Sequence, residues 1–172
     1  MKKNKISKNW QNKQKRDIYF IRSKAQGYRS RSAFKLIEMN NKFNFIKSST
    51  LLLDLGSSPG GWSQVARKKI TNGKILAVDI KFMEKIKDVD FLNEDFAFEE
   101  THKKIINHFK LKIDVVLSDM AANTSGNKSL DSYKTGELCL KSMVLASKIL
   151  KNDGVFLSKF FMGTIFQEIK EK

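Results

Sequence analysis

Four short apolar runs, each ending on or beside a charged residue, constrain this chain more than any other feature. Residues 50–55 carry Asp54 near their end, residues 74–79 close on Asp79, residues 112–118 are followed by Asp119, and residues 155–161 contain Lys159. A weaker run lies at 89–92. Stretches with helical spacing separate the runs, at 62–70, 98–109 and 136–150. In the last of these the apolar residues are Leu138, Cys139, Leu145, Ala146, Ile149 and Leu150. Residues 31–43 form a further short helical pattern, and another begins at 164–172. Short continuous strands alternating with helices predict βαβ units, hence an α/β fold with a mostly parallel sheet and helices on both faces. At 172 residues the chain is the size of one domain.

Ligands of open α/β sheets bind beyond the carboxyl ends of the strands. A single aspartate there also suits a helix cap or a turn. Four charged residues at one edge are harder to attribute to capping, because an unpaired buried charge is costly. The turn at 56–62, Gly56-Ser57-Ser58-Pro59-Gly60-Gly61-Trp62, follows the first strand and contains the only proline of the chain. Its glycines allow a close backbone approach to a ligand. It lacks the spacing of a phosphate loop or of a dinucleotide fingerprint, and Asp54 would repel a pyrophosphate. An acidic rim suits a ligand bearing hydroxyls and positive charge, and S-adenosylmethionine is such a ligand. Asp79 is placed to accept from its ribose hydroxyls. Asp95 is placed to accept from the adenine amino group with Phe96 beside the ring, although a plain surface loop accounts for Asp95 equally well. Lys159 is flanked by Phe160 and Phe161 and shares a strand face with Val155, Leu157 and Phe161. A lysine in such surroundings can serve as a general base; the alternative is a side chain snorkelling from an edge strand.

The net charge is +15, and its excess is concentrated at the start of the chain. Residues 1–35 hold 12 of the 33 lysines and arginines and one acid, Asp17. Trp10, Tyr19, Phe20 and Tyr28 are interleaved with these charges. This is the footprint of a nucleic-acid contact, the plainer alternative being a lysine-rich tail that aids solubility. Residues 1–30 are expected to form a basic, partly flexible RNA-binding arm, with the domain proper at 31–172. No apolar run approaches the ~20 residues needed to span a bilayer, and the basic start lacks an apolar h-region. The lone Cys139 and the two histidines, His102 and His108, argue against a disulfide or a metal site and fit a reducing cytoplasm. Nothing marks an obligate interface, so a monomer is expected.

Six stretches together resemble one known family. They are YRSRSAFKL at 28–36, LLLDLGSSPGGWSQV at 51–65, AVDI at 77–80, DVDFLNEDF at 88–96, VVLSDMAANTSG at 115–126 and SKFFMG at 158–163. Their order and spacing resemble the FtsJ/RlmE-type ribosomal RNA 2′-O-methyltransferases, from about residue 10 to the end. Ala122 stands where the family has proline.

The resemblance implies a Rossmann-like, S-adenosylmethionine-dependent methyltransferase domain acting on a uridine 2′-hydroxyl in the A-loop of large-subunit rRNA. It implies a catalytic set in which Lys35 is the first lysine, Asp119 the aspartate and Lys159 the second lysine and base. It implies cofactor contacts at Gly60, Trp62, Asp79, Asp95 and Asp119. No metal is implied. Family members continue into a terminal β-hairpin that carries a catalytic glutamate. With Lys172 as the last residue, that hairpin is expected to be missing here and the domain incomplete. Two further readings stay open: the same chemistry on tRNA ribose, and an rRNA-binding factor in subunit assembly that does not turn over.

Overall fold

A computed structural model of the chain describes residues 17–122, 125–163 and 165–171. Helix α1 (Ile18–Ala25) is capped by Asp17, whose carboxylate accepts from the N–H groups of Tyr19 and Phe20 at 2.9 and 3.2 Å. Helix α2 (Ala33–Phe43) follows. Then come β1 (Leu51–Leu55), α3 (Gly61–Lys69), β2 (Lys74–Val78), β3 (Asp90–Leu92), α4 (Glu99–Phe109), β4 (Ile113–Ser118), α5 (Lys128–Ile149), β5 (Leu150–Ser158) and α6 (Phe166–Glu171). The five strands form one sheet in the order β3-β2-β1-β4-β5, every pair parallel.

The sheet is covered on both faces, which is why its strands read as unbroken apolar runs. Leu52, Ile75, Ala77, Val115 and Leu117 face α2 and α3, packing with Phe34, Leu36, Trp62 and Val65. Leu53, Leu55, Leu76, Val78 and Val116 face α4 and α5, packing with Ile105, Phe109, Leu145 and Ile149. Leu52, Leu53 and Leu55 are fully buried, each worth about 1.5–3 kcal/mol relative to exposure. Asp54 lies between them, on the α3 face with Leu52.

Three features differ from the sequence-based expectation. Residues 17–30 include helix α1, and Tyr28 enters the core, its ring edge-on to Phe34 at 5.8 Å. Residues 1–16 of the expected arm lie outside the described residues. Helix α5 begins eight residues earlier than the apolar spacing suggested, because its first turns bury polar groups: Asp131, Ser132 and Thr135. Strand β5 starts earlier and stops at Ser158, so Lys159 follows the strand instead of lying within it, although its N–H still donates to the Ser118 carbonyl at 2.8 Å. No helix among the described residues is long and apolar enough to cross a membrane.

Candidate active site

The carboxyl ends of β1, β2 and β4 open onto two adjoining cavities. The turn after β1 separates them, and Gly56, Ser58 and Asp119 line both. The larger, of about 350 Å³, reaches Asp79, Asp95, Phe96, Met120 and Leu138. The smaller, of about 180 Å³, reaches Asp54, Ser57, Trp62, Ser30 and Ser32.

The turn is held from below by Asp79. One carboxylate oxygen accepts from the Ser58 N–H at 2.8 Å and the other from the Lys81 N–H at 2.7 Å. Asp79 also lines the larger cavity. Asn93 donates its side-chain amide to the Asp79 carbonyl at 2.8 Å, linking this corner to the loop of Asp95. Asp95 accepts from the Ala97 N–H at 2.9 Å, and Phe96 is buried beside it. Gly56 and Gly60 both take positive φ, +70° and +110°. Gly60 does not line either cavity. A Cβ there would come within 2.9 Å of Ile86 and 3.1 Å of the Arg29 guanidinium. Trp62 is buried and donates its indole N–H to the Ser32 carbonyl at 2.9 Å, which ties the start of α3 to the start of α2.

Asp119 and Lys159 meet where β4 and β5 end. Lys159 Nζ lies 2.6 Å from Asp119 Oδ1 and donates to the Asp119 carbonyl at 3.0 Å. The lysine side chain is 25% exposed and the aspartate 16%. The amine is therefore held in place and partly exposed, and Lys159, unlike Asp119, lines neither cavity. Lys35 sits on the first turn of α2, its side chain exposed, three residues after Ser32 of the smaller cavity. The structure thus brings Asp119 and Lys159 into contact and sets Asp79, Asp95 and Asp119 around one cavity. Lys35 stands at the outer side and lines neither cavity.

The sequence did not disclose two features of the site, the burial of Asp54 and the part played by the start of α5. Asp54 is completely buried, with one oxygen accepting from the Ser63 hydroxyl at 2.6 Å. Its other oxygen, like the Ser57 hydroxyl, has no hydrogen-bond partner among the described residues. Burial, reinforced by the Asp119 and Asp79 charges against the opposing Ser63 bond, pushes its carboxyl up to about 7. The second feature is the N-terminal end of α5, which holds the loops that follow β4 and β5. The Asp131 carboxylate accepts from the Ser125 N–H at 2.7 Å, the Ser125 hydroxyl at 2.8 Å and the Gly126 N–H at 3.3 Å. These bonds, the Ser125 N–H first, hold its carboxyl below the usual range. The neighbouring Ser132 hydroxyl donates to the Phe161 carbonyl at 3.1 Å. Only a run of buried polar residues on α5 signalled this, and such a run reads as solvent-facing in sequence.

Comparison with known proteins agrees with this geometry. The family model of FtsJ-like methyltransferases matches residues 28–172. The chain is 48% identical to the ribosomal RNA large subunit methyltransferase E of Pelagibacter ubique, covering 98% of this chain and 83% of that one. It is 40% identical to the Rickettsia felis protein of the same name, covering 96% and 76%. Among solved structures, a Plasmodium falciparum protein described as a ribosomal RNA methyltransferase superposes with a TM-score of 0.78 at 32% identity, covering 84% of each chain. A Streptococcus mutans protein described as a methyltransferase, in complex with SAH, has a TM-score of 0.51 at 14% identity, a likeness of fold alone. The chain belongs to the FtsJ-like methyltransferase family, whose cofactor is S-adenosylmethionine.

Proposed function

We propose that the protein methylates the 2′-hydroxyl of a uridine in the A-loop of large-subunit rRNA, in the cytoplasm, with Lys159 as general base. The observation that carries this reading is the Lys159–Asp119 pair at 2.6 Å, whose Asp119 lines both cavities. The names borne by the relatives, large-subunit rRNA methyltransferases, support the substrate class.

The residues present fit the cofactor. The site is rich in acceptors and hydroxyls, and two of its buried polar atoms, Asp54 Oδ1 and Ser57 Oγ, have no partner among the described residues. Groups of this kind suit an amino-acid end with an ammonium, next to a nucleoside end held at Asp79 and Asp95. When bound, S-adenosylmethionine supplies an activated methyl group on a sulfonium. Asp79 accepts from the ribose hydroxyls and Asp95 from the base, with Phe96 packed alongside. Trp62 lines the smaller cavity, and Gly60, through its positive φ, shapes the turn that leads to it.

The chain's own contribution to the chemistry is placement and one proton. Asp119 orients Lys159 through its carboxylate and its carbonyl, so the amine projects from a fixed point. Lys159, when neutral, takes the proton of the 2′-hydroxyl as that oxygen attacks. Lys35 holds the ribose or the adjoining phosphate from the α2 side. Alignment of this sort can lower a barrier by several kcal/mol, roughly 7–11 in the best intramolecular cases.

The reading is tested with labelled S-adenosylmethionine and purified large subunits lacking the modification, with tRNA in parallel, followed by digestion to nucleosides. Label in 2′-O-methyluridine from the large subunit is expected. Label from tRNA alone would shift the substrate to tRNA. Cofactor binding without transfer to either would favour an assembly factor that does not turn over.

A further inference from the structure

Arg29 belongs to the basic start of the chain, yet its guanidinium is engaged by the protein itself. Nη1 donates to the Glu84 carbonyl at 2.7 Å and to the Pro59 carbonyl at 3.2 Å, and Nη2 donates to the Lys85 carbonyl at 3.1 Å. Its backbone N–H donates to Gln64 Oε1 at 2.8 Å, and Gln64 Nε2 donates in turn to the Gly27 carbonyl at 3.0 Å. The Glu84 carboxylate stands 3.9 Å from Nη2 but is 85% exposed, so that ion pair adds little.

The three carbonyls come from two separate segments. Pro59 belongs to the turn after β1, and Glu84 and Lys85 to the connection between β2 and β3. A planar fork of donors can hold all three at once, whereas a lysine ammonium on a flexible stem cannot match that geometry. The packing is close. Added to Gly60, a Cβ would lie 3.1 Å from Arg29 Nη1, and added to Gly61 it would lie 2.0 Å from the Ser30 hydroxyl. The segment just before α2 is therefore interlocked with the turn.

We propose that Arg29 is a positioning residue of the cofactor site and not an RNA contact. It fastens the turn at 56–62 to the β2–β3 connection, and it fixes the segment that leads into the helix bearing Lys35. This rests on the reading of that turn as the cofactor loop. Three of the five guanidinium N–H groups are spent on these backbone carbonyls, so the side chain is oriented toward the turn and the connection.

Arg29→Lys and Arg29→Ala separate the two roles. Calorimetry gives the Kd for S-adenosylmethionine, and a salt series gives the affinity for in-vitro-transcribed large-subunit rRNA. Both substitutions are expected to raise the cofactor Kd at least about tenfold and to leave the salt slope unchanged. Arg67→Ala is the control, because Arg67 binds Asp88 of the same connection at 2.6 Å without touching the turn; its effect on the cofactor Kd is expected to stay below about threefold. Gln64→Ala is a milder release of the same segment, and it is expected to weaken cofactor binding in the same direction. The proposal is overturned if Arg29→Lys binds cofactor as wild type does while Arg29→Ala flattens the salt slope. It is equally overturned if Arg67→Ala matches the Arg29 variants, or if Gln64→Ala binds cofactor unchanged while the Arg29 variants unfold. Failure of the wild-type protein to bind S-adenosylmethionine would instead overturn the reading of the turn.

Discussion

Lys159 and Asp119 stand 40 residues apart in the chain, and their side chains meet at 2.6 Å. The sheet register produces this contact. Ser118 of β4 lies opposite Ser158 of β5 in a parallel pair, so the next residue of each strand leaves the sheet at the same level. The ladder continues one step further through the Lys159 N–H and the Ser118 carbonyl. Two side chains that leave adjacent parallel strands on the same face are neighbours by construction. The strands that build the core therefore also set the spacing of the proposed base and its partner.

Asp79 joins the two ends of the cofactor site, because the carboxylate proposed to meet the ribose hydroxyls also anchors the Ser58 N–H. Asp79→Ala removes both the ligand's acceptor and the anchor of the turn. Its cofactor Kd should rise at least about tenfold, the equivalent of roughly 1.4 kcal/mol. Titration calorimetry with S-adenosylhomocysteine measures this, and an unchanged Kd would remove Asp79 from the site.

Asp131 should act through placement alone. Its carboxylate secures Ser125 and Gly126 in the loop that follows Asp119, and it lines neither cavity. Asp131→Ala is expected to lower kcat by about tenfold to a hundredfold, the scale of a misplaced catalytic group, with a smaller change in cofactor affinity. Asp131→Asn keeps one amide oxygen as acceptor and should recover part of that activity. Steady-state kinetics of the two variants, with cofactor Kd measured beside them, make the comparison.

Asp54 gives a signature in stability against pH. Its carboxyl is raised to about 7 in the folded protein, chiefly by burial, whereas an unfolded aspartate titrates near 3.9. The folded state then binds the proton more tightly, so the stabilisation is complete below about pH 4 and is lost as pH rises toward about 7. The unfolding free energy of wild type minus that of Asp54→Asn should fall by on the order of a few kcal/mol between pH 4 and 8. Urea denaturation across that range tests it, and a difference that stays level would mean that Asp54 ionises normally.

Much of this arrangement was legible in the sequence, for identifiable reasons. The strands covered on both faces kept continuous apolar runs, so β1, β2 and β4 appeared nearly at their true bounds. Asp79 and Asp119 follow directly from those ends. Helix α1 was hidden because Ile18, Tyr19 and Ile21 are exposed, which leaves no apolar stripe at helical spacing. The start of α5 was hidden for the opposite reason, since its buried residues are polar and bond to loops. Asp54 looked like a rim residue that would repel phosphate. It is instead completely buried and bonded to Ser63, nine residues away on α3, a relationship that strand and turn patterns do not carry. Arg29 and Arg31 counted as free cations in the composition, yet Arg29 binds three carbonyls and Arg31 pairs with Asp17.

The basic start of the chain makes its own prediction. Deleting residues 1–15 removes six lysines. If they neutralise phosphates, the slope of log affinity against log salt should become shallower, by about 0.7–0.9 for each phosphate that is no longer neutralised. Filter binding to large-subunit rRNA between low and physiological salt reads this directly. An identical slope would assign those lysines to solubility.

The most direct test of the central claim is methyl transfer by Lys159→Ala on large subunits that lack the modification, with cofactor and RNA binding measured on the same preparation. Transfer is expected to fall by about 10²–10⁴-fold, the range for loss of a general base, while both affinities stay within about threefold of wild type. Transfer at the wild-type rate, with the 2′-O-methyluridine product unchanged, would contradict it.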